Sequence, residues 1–69
     1  MNMSEAIKKL IRNYDFESET EFYECLKENR NEVISHLEWR ASGGKMKDEN
    51  IDDNYIEACK FILSEIKDM

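Results

Sequence analysis

Proline is absent from this chain, and glycine occurs only as the pair Gly43-Gly44. No helix is therefore interrupted by a residue that lacks an amide donor, and a single stretch is marked as a flexible turn. No apolar run approaches the length of about 18 residues that a membrane-spanning helix needs. The opening residues Met1-Asn2-Met3-Ser4-Glu5 lack a charged segment leading into an apolar core, so no secretory signal is expected. Histidine and tryptophan occur once each, as His36 and Trp39, and cysteine twice, as Cys25 and Cys59. A metal site needs three or four suitably spaced ligands. One histidine and two distant cysteines do not supply them, so neither a metal nor another cofactor is expected. Both cysteines fall in helical contexts and read as small core residues of a cytoplasmic protein, with a disulfide between them as the alternative.

Positive charge is also scarce. Ten Lys and Arg face sixteen Asp and Glu, for a net charge of −6 and a pI near 4.7. A direct nucleic-acid binder should carry a basic patch, and an anionic membrane repels an acidic surface. The balance favours a basic protein partner, or solubility alone. The 69 residues make one domain, residues 1–69. A chain of this length buries only about 60% of its unfolded surface, so a partner or a second copy would help to stabilise it. The weight of Lys, Asn, Ile, Glu and Asp is what AT-rich coding gives, and it suits a low-GC bacterium or its phage.

Apolar residues recur at helical spacing and nowhere alternate with period two, which predicts an all-α fold. The expected architecture is a small three-helix bundle over 4–14, 19–42 and 51–68. In the first segment Ser4 is the expected cap, and Met3, Ile7, Leu10, Ile11 and Tyr14 share one face. Lys8, Lys9 and Arg12 lie on the other face. Phe16 sits where an apolar residue can staple the next helix.

Ser18 followed by Glu21 has the capping-box spacing for the central helix. Phe22, Leu26, Val33 and Leu37 form its buried stripe, flanked by Tyr23, Ile34 and Ala41. Gly43 is placed to end it in the left-handed conformation. Asn29-Arg30-Asn31 is its weak point, because asparagine competes for backbone hydrogen bonds and Arg30 falls inside the stripe. A break there, with Asn31 as a new cap, would make four helices. Asn50 is the expected cap of the last helix, with Asp52 and Asp53 in its first turn. Ile51, Tyr55, Ala58, Cys59, Ile62 and Ile66 form its stripe. Ile56, Leu63 and Phe61 widen the apolar surface, as suits a helix that meets two neighbours or a second copy.

No catalytic set stands out, and the chain is not expected to be an enzyme. Gly43-Gly44-Lys45 follows a helix and is trailed by Met46, so it is not a phosphate loop of the Walker type. His36 lies beside the apolar stripe and reads as a structural histidine. Cys25 lies three turns from it on the same helix, out of reach for a nucleophile–base pair.

What remains is surface. On a straight helix Trp39 points away from the core on the side of Glu21, Glu28 and Glu32. It is then a contact anchor on an acidic ridge, or it packs under the following loop or the last helix. Asp48, Glu49, Asp52 and Asp53 form a second acidic cluster. One expected function is a small acidic interaction module, acting as a stoichiometric inhibitor or regulator of a larger basic, nucleic-acid-binding protein. Phage counter-defence proteins and bacteriocin immunity proteins share such general properties, although no motif here identifies either class. The alternative is a homo-oligomerisation module paired through Ile56, Phe61 and Leu63.

Overall fold

The computed structural model describes residues 1–69. It is all-helical, with α1 Met3–Arg12, α2 Glu19–Glu28, α3 Arg30–Ala41 and α4 Asp53–Lys67. The central segment is two helices, and the break comes at Asn29 rather than Asn31. Asn29 leaves helical geometry (φ −134°, ψ 49°), and its side chain makes no capping bond. The bend shortens the central segment. A straight helix over 19–42 would run about 36 Å at 1.5 Å per residue, whereas the longest extent of the molecule is 30 Å. Bending at the residues of weakest helix propensity keeps both apolar halves over one core. Arg30, displaced from the stripe by the bend, donates from Nη2 to the carbonyl of Ile66 at 2.8 Å, near the end of α4.

The helices form a closed ring in which each packs against its sequence neighbours and α4 returns to α1. Short connections favour this arrangement of adjacent elements. The core collects Ala6, Ile7 and Leu10 from α1, Phe22 and Leu26 from α2, and Val33 and Leu37 from α3. Tyr55, Ala58, Cys59, Ile62, Leu63 and Ile66 complete it from α4. The anticipated stripes therefore do face inward. Phe16 packs edge-on to Phe22, with ring centroids 5.2 Å apart. Both cysteines are free thiols. No helix is long and apolar enough to cross a membrane.

The caps follow the expected chemistry with shifts of position. Ser18 Oγ accepts from the Glu21 amide at 3.1 Å, as the capping-box spacing requires. The Glu21 carboxylate reaches back to the amide of Glu17, at 2.7 Å, not to that of Ser18. Asn2, not Ser4, caps α1 by accepting from the Glu5 amide. Ser4 instead lies inside the helix and donates to Glu19 at the start of α2. Asp52, not Asn50, caps α4 by accepting from the Tyr55 amide. In each case the cap is the residue three before an amide left free in the first turn, so moving a helix start by two residues changes its cap.

Two helices end in the same six-residue closure. At α3, Gly43 is left-handed (φ 89°), with Gly43 N–H donating to Arg40 O and Gly44 N–H to Trp39 O. At α1 the left-handed position is held by Tyr14 (φ 64°), with Tyr14 N–H donating to Ile11 O and Asp15 N–H to Leu10 O. This turn takes Tyr14 off the α1 stripe, where sequence periodicity placed it. Its side chain is 95% exposed, and the next residue, Asp15, swings inward. A bulky residue in this conformation is strained by about 1–2 kcal/mol. Tyr14→Gly should relieve that strain, less the extra chain entropy of glycine. A net gain of roughly 0.5–1 kcal/mol is expected in urea melts, and a loss of stability would show that the exposed ring has a stabilising contact.

Candidate functional site

Asp15 enters the bundle between α3 and α4 because the Tyr14 turn aims it there. Its side chain is 4% exposed. His36 Nε2, from the middle of α3, lies 3.1 Å from Asp15 Oδ1 in hydrogen-bond geometry. The Tyr55 hydroxyl, one turn into α4, donates to Asp15 Oδ2. Arg40, one turn beyond His36, places Nη2 3.5 Å from Asp15 Oδ1.

Arg40 is the centre of this cluster, with a side chain only 6% exposed. Its two terminal nitrogens donate to the two oxygens of Glu49, at 2.7 and 2.8 Å. Nη1 also reaches the carbonyl of Gly44 at 3.3 Å, and Nε has no partner. The guanidinium carbon lies 4.8 Å from the Trp39 ring centroid and 5.7 Å from that of Tyr55, a cation–π arrangement. One buried cation thus ties the α1–α2 connection, α3, the 42–52 loop and α4 together.

The electrostatics follow from these contacts. The bidentate bond to Glu49 raises the Arg40 pKa against the opposing effect of burial. The same bond, helped by the Met46 amide, pulls the Glu49 carboxyl down to about 2. Burial, then the bond to Asp15, raises the Tyr55 phenol. Burial pushes the Cys59 thiol up to about 11.

Beside this cluster lies a groove of about 220 Å³ between the α1–α2 connection and the α2–α3 bend. Phe16, Cys25 and Val33 give it an apolar floor, and Asp15, Asn29, Glu32 and His36 line the rest. Cys25 of α2 and His36 of α3 line the same groove on either side of the bend at Asn29. The Cys25 thiol is raised by desolvation and then by Glu21, Glu28 and Glu24. A catalytic cysteine needs the opposite shift, toward thiolate. No group of three or more His, Cys, Asp or Glu side chains is arranged to hold a metal.

The residues singled out from sequence divide by task. Glu28, Glu32, Asp48 and Asp53 are exposed and make no ion pair or side-chain hydrogen bond within the chain. Glu21, Glu49 and Asp52 serve the fold, as staple to Glu17, partner of Arg40 and cap of α4. Trp39 is 42% exposed and packs one face under the loop. A β-carbon on Gly44 would stand 2.3 Å from its indole nitrogen, so only glycine fits there. Glu21 and Glu28 stand with Glu24 around Cys25, and Glu32 faces the same groove across the bend. His36, whose ring centroid is 6.2 Å from that of Trp39, connects the groove to the indole.

Sequence reasoning missed Asp15, Arg40 and Tyr55 as one cluster. A signal was present, because Arg40 continues the Val33–Leu37 stripe at helical spacing, and a cation on a buried stripe demands a buried anion. The anion came from a connection, where periodicity gives no direction.

These elements define a small four-helix ring with a buried ionic cluster and an acidic groove. The chain matches no protein-family model, no curated protein and no solved structure at a significant level.

Proposed function

We propose that the chain is a small acidic interaction module that regulates or inhibits a larger basic protein by seating a basic segment on the α2–α3 groove. The observation that supports this is the groove itself. An apolar floor of Phe16, Cys25 and Val33 is edged by Glu32 and surrounded by Glu21, Glu24 and Glu28. The long stem of a lysine or arginine can lie on such a floor while its charged head stays among carboxylates. Trp39, half-exposed beside His36, adds an aromatic contact of the kind that anchors interfaces. Only Asp15, Glu49 and Glu57 of the sixteen acids form ion pairs inside the chain, so the remaining negative charge can steer a cationic partner. The proposed setting is the cytoplasm, where both free thiols would persist.

The self-association alternative relies on Ile56, Phe61 and Leu63. Leu63 is in the core and Phe61 packs against it, which leaves little apolar surface on α4 for a second copy.

Pull-down from a cell lysate at low and high salt tests the proposal. A basic protein should be captured and released as salt rises. Capture should disappear in Glu28→Lys/Glu32→Lys, two exposed positions whose reversal leaves the melting curve near that of the unchanged protein. Alkylation of Cys25 should slow in the complex. Capture that survives the double reversal, or a complex in which Cys25 reacts as before, would remove the groove from the proposal.

A further inference from the structure

A second hollow, of about 230 Å³, lies between the last turn of α1 and the first turn of α4. Its character is opposite to that of the acidic groove. Lys9 and Arg12 line it, with the carboxamides of Asn13, Asn50 and Asn54. Asp52 is the one carboxylate there, and its Oδ1 is engaged by the Tyr55 amide. The hollow is thus locally cationic in a chain of net charge −6.

None of its cationic or carboxamide groups has a partner within the molecule. Lys9 and Arg12 make no ion pair, although acids outnumber bases in the chain. Asn13 Nδ2 is buried and donates to nothing. A buried donor without an acceptor costs about 1–3 kcal/mol, a cost that is recovered when the Asn13 side chain turns its amide to an acceptor in the hollow that it lines. The backbone amides of Asp53 and Asn54, at the start of the fifteen-residue α4, also have no acceptor in the chain. Two cations, an orphaned side-chain amide and Asn54 of the α4 first turn line one small space and form an acceptor-seeking set. A compact oxyanion meets all of it, and a cation or an apolar ligand meets none. The volume is below the roughly 300 Å³ at which pockets for larger organic ligands begin, so the group bound is small.

We propose that this hollow binds a phosphate group, either as the free ion or as a monoester. Arg12 and Lys9 supply the charge, and Asn13 with the α4 first turn supplies directed donors. The site stands apart from the acidic groove, so either can fail without the other.

The test is a titration of the ¹⁵N-labelled protein with inorganic phosphate at constant ionic strength, followed by amide shifts, and repeated with phosphoserine. Saturable shifts are expected at Asn13, Asp53 and Asn54, including the Asn13 side-chain amide. Arg12→Gln and Lys9→Gln should each weaken binding by about tenfold or more, as for loss of a hydrogen bond to a charged group. Their melting curves should be unchanged, because neither side chain has a partner to lose. Tighter binding of phosphoserine would show that the group arrives on a larger molecule. Tighter binding of inorganic phosphate would identify the free ion. Shifts that spread over every lysine and arginine without saturating, or an Arg12→Gln affinity equal to that of the unchanged protein, would overturn the proposal.

Discussion

Arg40→Ala is expected to cost the fold about 3–5 kcal/mol, because it leaves the carboxylates of Asp15 and Glu49 without the cation that holds them. The whole stability of a chain of 69 residues is roughly 3–10 kcal/mol at 0.05–0.15 kcal/mol per residue, so the variant should lose about half of it. The cost arises from what remains behind. Asp15 is almost completely buried between α3 and α4, where a carboxylate cannot recover the lost pairing from water. The indole of Trp39 and the phenol of Tyr55 would also lose the guanidinium between them. Arg40→Lys should recover part of the loss, since it restores charge but not the bidentate geometry toward Glu49. Urea melts followed by circular dichroism measure both variants. A loss below about 1 kcal/mol for Arg40→Ala would place the cluster with surface ion pairs in energetic terms.

The same contact sets an acid limit. The folded-state pKa of Glu49 is depressed to about 2, so its contribution is complete above the ordinary carboxyl range near 4.5. It is lost as pH falls from there through about 2. The urea midpoint should decline across that window in the unchanged protein and more shallowly in Glu49→Gln.

Phe22→Ala should be comparably damaging, at about 3–5 kcal/mol for emptying a buried aromatic site. Phe22 is fully buried and meets Phe16 and Tyr23 edge-on, each with centroids 5.2 Å apart. Its position makes the loss local as well as large. α2 puts only Phe22 and Leu26 into the core and makes no close backbone approach to α4. With Phe22 gone, α2 has one buried anchor left. Hydrogen exchange should show protection lost first across Glu19–Glu28, with α1 and α4 retaining theirs under mildly native conditions. Uniform loss across all four helices would mean that α2 does not unfold as a separate unit. The acidic groove is built on α2 and the bend, so this variant should also lose capture of a basic partner.

What could be read from residues alone was the part governed by local periodicity. Phe22, Leu26, Val33 and Leu37 declare their face by spacing, and so do Ile7 and Leu10 in α1 and the Tyr55–Ile66 series in α4. All of them are buried. Ser18 declares the start of α2, and Gly43 the end of α3, because each supplies a conformation or an acceptor that the helix end requires whatever surrounds it. Other caps fell two residues away from their expected places, since several polar residues near each start could serve and packing decides among them.

Tertiary structure decided the rest. Packing both apolar halves of the central segment over one core requires a bend, and Asn29 takes it although it offers no capping bond. The left-handed turn at Tyr14, which local preference opposes, turns Asp15 inward, and no sequence pattern marks a connection residue as buried. Arg40 shows the division most directly. Its place on the apolar stripe is legible from Val33 and Leu37, whereas its partners come from a loop, a connection and another helix, far apart in sequence. Periodicity sets which face of a helix is apolar because it acts within one element. Which carboxylate neutralises a buried cation depends on how separate elements meet, and only the packed bundle determines that.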